Sequence, residues 1–539
     1  MSKLAFNIFL VFCGFLVIVA GLGVTMMIAP GADILGLRYI RSTSGSYYEK
    51  QTVYCAESSV QEFNITCDNI PINVVFAQSY TFSVVLDEQF NGYTKTIDNP
   101  DLAVENAGNK VNFSVREYVP FLYHNRIDGS ALTISIPIYY RGVVAIQSRD
   151  SNITIDGLNG MLSNLIVTTG GKVNVNDVTL SKLHLNIGSK DAYINAGAKI
   201  NDLHIEAINA QINITDKIDG KITYKAKGGG LYFNACEQLE VDAKSARIAS
   251  SNEELAKVNG DAKINTNAKI MLDVYGNTEI ITKSGDITLG AETIVYGGEV
   301  NLTTKSGDVI LNGRRMAIGT IKTKSGDIWA ENVSDCNIET SYGFIDVQSC
   351  TNLSIVGGSG NVFVKDSNGD VSVSTRSGDV VIGDKEKSLN AKIDVKTLGG
   401  NIRLINISSG VCSTTTKSGN VNFIGDINNN AKIVVVSDKG DVWAENMSGK
   451  IEVETNGSVT LKMLSLASGV EIIGKDKPVT IETANNNLTF DLTTTKTNNI
   501  IVFGDVIKDQ YYLTSIDADI AIITNKGTIT ICEKIVEAE

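Results

Sequence analysis

From about residue 142 onward, apolar and polar residues alternate in short runs, each closed by a turn. In Asp286-Ile287-Thr288-Leu289 the apolar pair Ile287 and Leu289 falls on one side of an extended chain and Thr288 on the other. A second kind of run carries an Asn-Leu-x-Ile flavour: Asn164-Leu165-Ile166-Val167, Leu183-His184-Leu185, Leu203-His204-Ile205, Asn352-Leu353-Ser354-Ile355. No long stretch with a 3.6-residue apolar period follows residue 50, so the pattern predicts strands and little else.

The turns between these strands repeat. Lys283-Ser284-Gly285-Asp286, Lys305-Ser306-Gly307-Asp308 and Lys324-Ser325-Gly326-Asp327 are near-identical, and Arg376-Ser377-Gly378-Asp379 and Lys417-Ser418-Gly419-Asn420 vary the theme. Degenerate copies surround Gly343, Gly360, Gly400, Gly440 and Gly457, and the spacing between successive glycines stays between 17 and 22 residues. A period near twenty with two short strands per unit is the mark of a stacked solenoid: one such unit cannot bury its own apolar face, so successive coils share a core. Longer self-similarity points the same way, since Gly326-Asp327-Ile328-Trp329-Ala330-Glu331-Asn332 returns as Gly440-Asp441-Val442-Trp443-Ala444-Glu445-Asn446. The turn glycines, Gly285, Gly307, Gly326, Gly378 and Gly419 foremost, are expected at positive φ, where a Cβ would clash.

The expected fold is therefore all-β, a parallel β-helix with coils of about twenty residues. One N-terminal transmembrane helix is expected before it. Residues 5–28 carry no charge, a length sufficient to span a bilayer as a helix. Lys3 precedes the run, and Arg38, Arg41 and Lys50 follow it; the reading is a signal-anchor with the rest of the chain outside, and the rival is a cleaved signal peptide. The expected order is a cytoplasmic tail over 1–4, the membrane helix over 5–28, a stalk over 29–50, an irregular β entry over 51–140, and the regular solenoid over 141–535. Within the entry, Asp87 to Lys110 is polar and reads as a surface loop.

Composition narrows the function classes. A formal net charge of −13 excludes a basic stripe for nucleic acid. The 8 cysteines show no CxxC or His-partnered metal spacing. Cys55 with Cys67, and Cys336 with Cys350, could each close a small loop; buried free thiols are the competing reading.

The Leu132-Thr133-Ile134-Ser135-Ile136-Pro137 strand, followed by Ser-Gly-Asp turns and stretches such as Asn332-Val333-Ser334-Asp335-Cys336-Asn337-Ile338, resembles the DUF4097 β-strand-repeat adhesins of bacterial surfaces. The likeness covers about residues 60 to 531. It implies a single-stranded right-handed parallel β-helix and an envelope location, and it carries no catalytic or ligand residue over to this chain.

Candidate chemistry is sparse. Asp286, Asp308, Asp327 and Asp379 are expected in one column beside Lys283, Lys305, Lys324, Arg376 and Lys417, as turns whose charges neutralise one another, with a weak Ca²⁺ ladder as the alternative. His184 and His204 sit twenty apart in equivalent strand positions and should stack; two imidazoles without a third ligand make a poor metal site. His124 reads as packing in an aromatic stretch. Asp366, Asp370, Arg376 and Asp379 would be the carboxylate cluster of a carbohydrate-acting β-helix enzyme if they converged. The Asn-x-Ser/Thr triplets at Asn64, Asn152, Asn213 and Asn332 follow from turn and strand composition. The expectation is a non-catalytic, cofactor-free surface protein with a structural or adhesive solenoid, anchored in the membrane through residues 5–28, with a surface glycan or protein ligand and no nucleic acid. A carbohydrate-acting enzyme and an envelope sensor are the alternatives.

Overall fold

The computed structural model describes residues 13, 40–56, 60–68, 70–95, 102–115, 125–126, 130–252, 254–291, 298–313, 316–425, 430–463, 469–484 and 487–533. They form an all-β parallel solenoid with coils of about 19 residues. Among the described residues no helix is long and apolar enough to cross a membrane. The expected membrane helix over 5–28 lies outside them apart from Cys13, as does His124. The chain divides into two compact units, Met1–Asn234 and Ala235–Glu539.

In the second unit each regular coil contributes one strand to each of two parallel ladders. One ladder stacks Thr278–Ile281, Val300–Thr303, Met316–Thr323, Cys336–Thr340, Leu353–Gly357 and Val371–Thr375. The other stacks Ile287–Ala291, Val309–Gly313, Ile328–Ala330, Ile345–Val347 and Val362–Val364. Register keeps like over like. The second residue after each corner glycine forms a column Ile287, Val309, Ile328, Ile345, Val362, Val380, Ile402, Val421, Val442 and Val459, every one β-branched. All are buried. β-Branched side chains are stiff at χ1 and pack well on a pleated surface, and burying each one stabilises the stack by roughly 1.5–3 kcal/mol. The opposite column, Leu302, Ile321, Ile338, Ile355, Val373 and Val395, meets a single polar member at Thr414. Thr414 is fully buried and donates to the Val434 carbonyl, which removes most of the penalty for a buried hydroxyl.

Two strands depart from chain order near the end of this unit. Ile520–Ile523 pairs with Val470–Gly474 on one side and Phe490–Thr493 on the other. Ile529–Glu533 likewise lies between Val479–Thr483 and Ile500–Val502. The last coil in sequence is thus inserted before the coil that precedes it. Antiparallel strands Tyr511–Leu513 and Asp505–Ile507 then cover Phe490–Thr493 and Ile500–Val502. A parallel stack that ended on a bare strand would offer its unpaired N–H and C=O groups to another chain, and terminal caps remove that hazard. The expected regular array to residue 535 ends in this cap.

The first unit repeats the parallel plan. Leu165 and Val167, Leu183 and Leu185, Leu203 and Ile205, and Ile222 and Tyr224 stack in register from Ile153–Thr169 through Ile218–Ala226. Its start corrects two expectations. The stalk expected over 29–50 gives way from Ile40, where Ile40–Ala56 pairs antiparallel with Thr81–Lys95. The loop expected from Asp87 to Lys110 instead holds the rest of Thr81–Lys95 and the strand Leu102–Ala107, itself antiparallel to Lys110–Val115. Hydrogen bonding across a hairpin, and Thr81–Lys95 pairing with Ala131–Pro137, satisfy the backbone of these polar segments. Composition alone does not reveal that partner.

Candidate functional site

The repeated turns are the most conspicuous candidate. The glycines do not need positive φ: none of Gly285, Gly307, Gly326, Gly378 and Gly419 lies in the left-handed region. The cause is close approach between coils. A Cβ on Gly307 would run into the Gly285 carbonyl, one on Gly326 into that of Gly307, and so on through Gly343, Gly360, Gly378, Gly400, Gly419, Gly440 and Gly457, each against the glycine one coil before. Positive φ falls elsewhere, notably at Asn332 (51°) and Asn446 (58°), the matching ends of the duplicated Trp-containing segments.

A residue the motif reading left out completes each corner. Thr282, Thr304, Thr323, Thr397 and Thr416 stand three positions before a turn glycine, and each accepts that glycine's N–H at 2.9 Å. Ser437 does the same for Gly440 at 2.9 Å. These hydroxyls are buried. The signal was present in the sequence, as Thr-x-Ser-Gly-Asp rather than Lys-Ser-Gly-Asp, but alternation alone marks that position as an ordinary strand residue.

The acids are engaged too. Asp286 Oδ1 accepts the N–H of Asp308 at 3.0 Å, and Asp308 Oδ1 that of Asp327 at 2.9 Å. Asp327 Oδ1 accepts the N–H of Phe344 at 2.8 Å, and Asp379 Oδ1 that of Asn401 at 2.8 Å. Asparagine serves equally: Asn361 holds Asp379, and Asn401 holds Asn420, both at 3.0 Å. The column is a ladder of side-chain acceptors for the next coil's backbone, so the backbone N–H groups, rather than the lysines, compensate the carboxylates. Lys283, Lys305 and Lys324 do stack, through Lys305 N–H to the Lys283 carbonyl and Lys324 N–H to the Lys305 carbonyl. Farther along the stack the positive charges alternate with other residues, with Leu398 on the coil after Arg376 and Lys439 on the coil after Lys417. Ion pairs form instead across the flat faces, as between Lys322 and Glu339 at 3.2 Å. Lys432 hydrogen-bonds Glu452 at 2.9 Å and draws its carboxyl below the usual range.

The carboxylate cluster of the enzyme reading is dispersed. Asp366 and Asp370 lie before the strand Val371–Thr375, and Arg376 and Asp379 lie after it; five extended residues separate the two corners by about 17 Å. Asp366 pairs with Lys387 at 2.9 Å.

Cys336, Cys350 and Cys412 are buried thiols without a disulfide. Burial pushes the Cys336 and Cys412 thiols up to about 12 and Cys350 to about 11. Cys67 is also buried. A shallow cavity of about 450 Å³ opens on the outer face beside Leu398, Val436 and Ile473, with Lys417, Glu454 and Lys475 among its walls.

His184 and His204 stack as expected, in register and edge to face with ring centroids 4.4 Å apart. The structure adds what the spacing argument missed. Glu206, two residues beyond His204 and so on the same outward face, comes within 3.3 Å of His204 Nε2. Burial and the neighbouring His204 hold the His184 imidazole below its ordinary pKa.

No protein-family model matches the chain, and no curated protein does. The DUF4097 resemblance therefore rests on the repeat residues themselves. Among solved structures, the chain is similar to a "putative cell adhesion protein" from Clostridium sporogenes ATCC 15579, at 11% identity and a TM-score of 0.23, over 38% of this chain and 99% of that one. A likeness of that size carries no argument about function.

Proposed function

We propose that the chain is a non-catalytic cell-surface protein whose solenoid is a structural or adhesive element, held at the membrane by residues 5–28. The observation that supports this reading is the engagement of the turn chemistry in the stack itself. Asp286, Asp308, Asp327 and Asp379, the groups best suited to catalysis or cation binding, each hold a backbone N–H of the following coil. Catalysis by paired carboxylates needs two groups in unequal environments, whereas these positions are made equivalent by the repeat. What remains for contact with other molecules is the outward side of the ladders, where Trp329, Asp346 and Phe363 follow one another in register on successive coils. Trp329 and Phe363 are each 37% exposed.

The test uses the full chain in intact cells. Protease added outside should digest the described region while the chain fractionates with membranes, and the surface-displayed chain should bind cells or glycans without turnover. Recovery of a soluble form beginning between residues 24 and 35 would remove the anchor. Release of unsaturated oligosaccharides from uronate polymers, lost on Asp379→Asn, would replace adhesion by the enzyme reading.

A further inference from the structure

We propose that His184, His204 and Glu206 form a binding site for a divalent transition metal ion of the Zn²⁺ class on the outer face of the first unit, with one coordination position open to solvent. The donor atoms of the three side chains lie within 4.8 Å of one another, and among the described residues this is the group of three or more His, Cys, Asp or Glu so arranged.

The ladder builds the site. His184 and His204 are directly paired in parallel strands, whose spacing of about 4.8 Å sets the distance between their Cα atoms. Leu183, Leu185, Leu203 and Ile205 flank them and are buried at 0–1% exposure, so the backbone carrying the imidazoles is fixed and both rings face outward. Glu206 takes the next outward position on the His204 strand. Sites on regular elements hold their donors more tightly than sites on loops.

The geometry suits a small ion. Zn²⁺ with ligands at about 2.0–2.1 Å has tetrahedral edges of about 3.3 Å. The His204 Nε2 to Glu206 Oε1 separation is already 3.3 Å. The remaining edges, at up to 4.8 Å, would have to shorten by at most about 1.5 Å to reach that length. His184 Nε2 supplies an independent observation: it is buried and has no hydrogen-bond partner. An orphaned buried polar atom is unfavourable unless something meets it, and a metal ion would.

The donor set fixes the class of ion. Two imidazoles with one carboxylate suit Zn²⁺, Cu²⁺, Ni²⁺ or Fe²⁺, whereas Ca²⁺ and Mg²⁺ require oxygen shells. Three protein ligands leave a position for water or for a donor from another molecule. In the same outward column Ile166 precedes His184 and Thr223 follows His204. Lys225, opposite Glu206, disfavours a second cation there.

The chain has 3 histidines, so the assignment separates cleanly. Calorimetry of the full chain, without a histidine tag, should show one Zn²⁺ per chain. His184→Gln, His204→Gln and Glu206→Gln should each weaken it by at least about tenfold, and His124→Gln should leave it unchanged. Co²⁺ should give visible ligand-field absorption that disappears in His204→Gln, and excess Ca²⁺ should not displace either ion. A readout free of variants is protection: Zn²⁺ should shield His184 and His204, but not His124, from diethyl pyrocarbonate as read by mass spectrometry. Absence of Zn²⁺ binding, binding that survives the His184→Gln/His204→Gln double variant, displacement by Ca²⁺, or equal modification of all three histidines would each overturn the site.

Discussion

Replacing Gly326 by alanine tests the claim that the corner glycines are required by contact between coils. The added methyl would overlap the Gly307 carbonyl oxygen, lie 2.6 Å from its carbon, and stand 3.1 Å from Thr323 Oγ1. Real Cβ atoms do not approach backbone so closely, so the corner must lift from the coil beneath. Overpacking of this kind costs about 1–3 kcal/mol. Lifting also stretches the 2.9 Å bond from Gly326 N–H to Thr323, worth about 1 kcal/mol. The sum is roughly 2–4 kcal/mol. A global melting curve would blur this, because each coil of a solenoid is coupled chiefly to its neighbours and unfolding is not two-state. Native-state hydrogen exchange reads it locally. The Lys324 and Ser325 amides, both bonded to the Lys305 carbonyl, should exchange about 30- to 700-fold faster in Gly326→Ala, at about 1.4 kcal/mol per decade, where exchange proceeds by local opening. Gly504→Ala is the control. It replaces a glycine at φ 91° with nothing within 4 Å of the new Cβ, so its cost is conformational and confined to that turn. Unchanged exchange at Lys324 and Ser325 in Gly326→Ala would refute the contact argument.

Thr323→Val removes the acceptor of the Gly326 N–H in a buried corner and should cost about 1–3 kcal/mol, read by the same exchange assay; Thr323→Ser should restore most of it, since Ser437 fills that role at Gly440. Asp308→Ala should free the Asp327 amide, whereas Asp308→Asn should behave nearly as wild type, because Asn361, Asn401 and Asn420 hold the equivalent amides; a loss in Asn as large as in Ala would mean that the charge matters and revive the Ca²⁺ ladder. Burial raises the Cys412 thiol from 9.0 to about 12, so the folded state retains a proton that the unfolded chain releases. Its contribution is fully present below about pH 9, falls as pH rises toward about 12, and should flatten in Cys412→Ala when local stability is followed by exchange or proteolysis.

The sequence by itself determined the repeating unit. Two short alternating strands and a Gly-Asp corner every twenty residues leave no face that one coil can bury alone, so stacking follows from Ile287, Val309 and Ile328 recurring at one phase of the repeat. It also showed that His184 and His204 would meet, because a fixed period puts equivalent residues in neighbouring strands. What the sequence did not carry is the reason for the corner glycine, since the carbonyl that excludes a Cβ at Gly326 belongs to Gly307, nineteen residues away, and only the pitch of the stack brings them together. The hydroxyl at Thr323 and the acceptor role of Asp308 are hidden for the same cause: a hydrogen bond between coils leaves no mark on local propensity. At the ends the repeat loses its grip. Ile520–Ile523 enters between Val470–Gly474 and Phe490–Thr493, and Ile40–Ala56 takes a partner from Thr81–Lys95, because capping depends on which unpaired edge must be covered. That edge exists only once the coils have stacked.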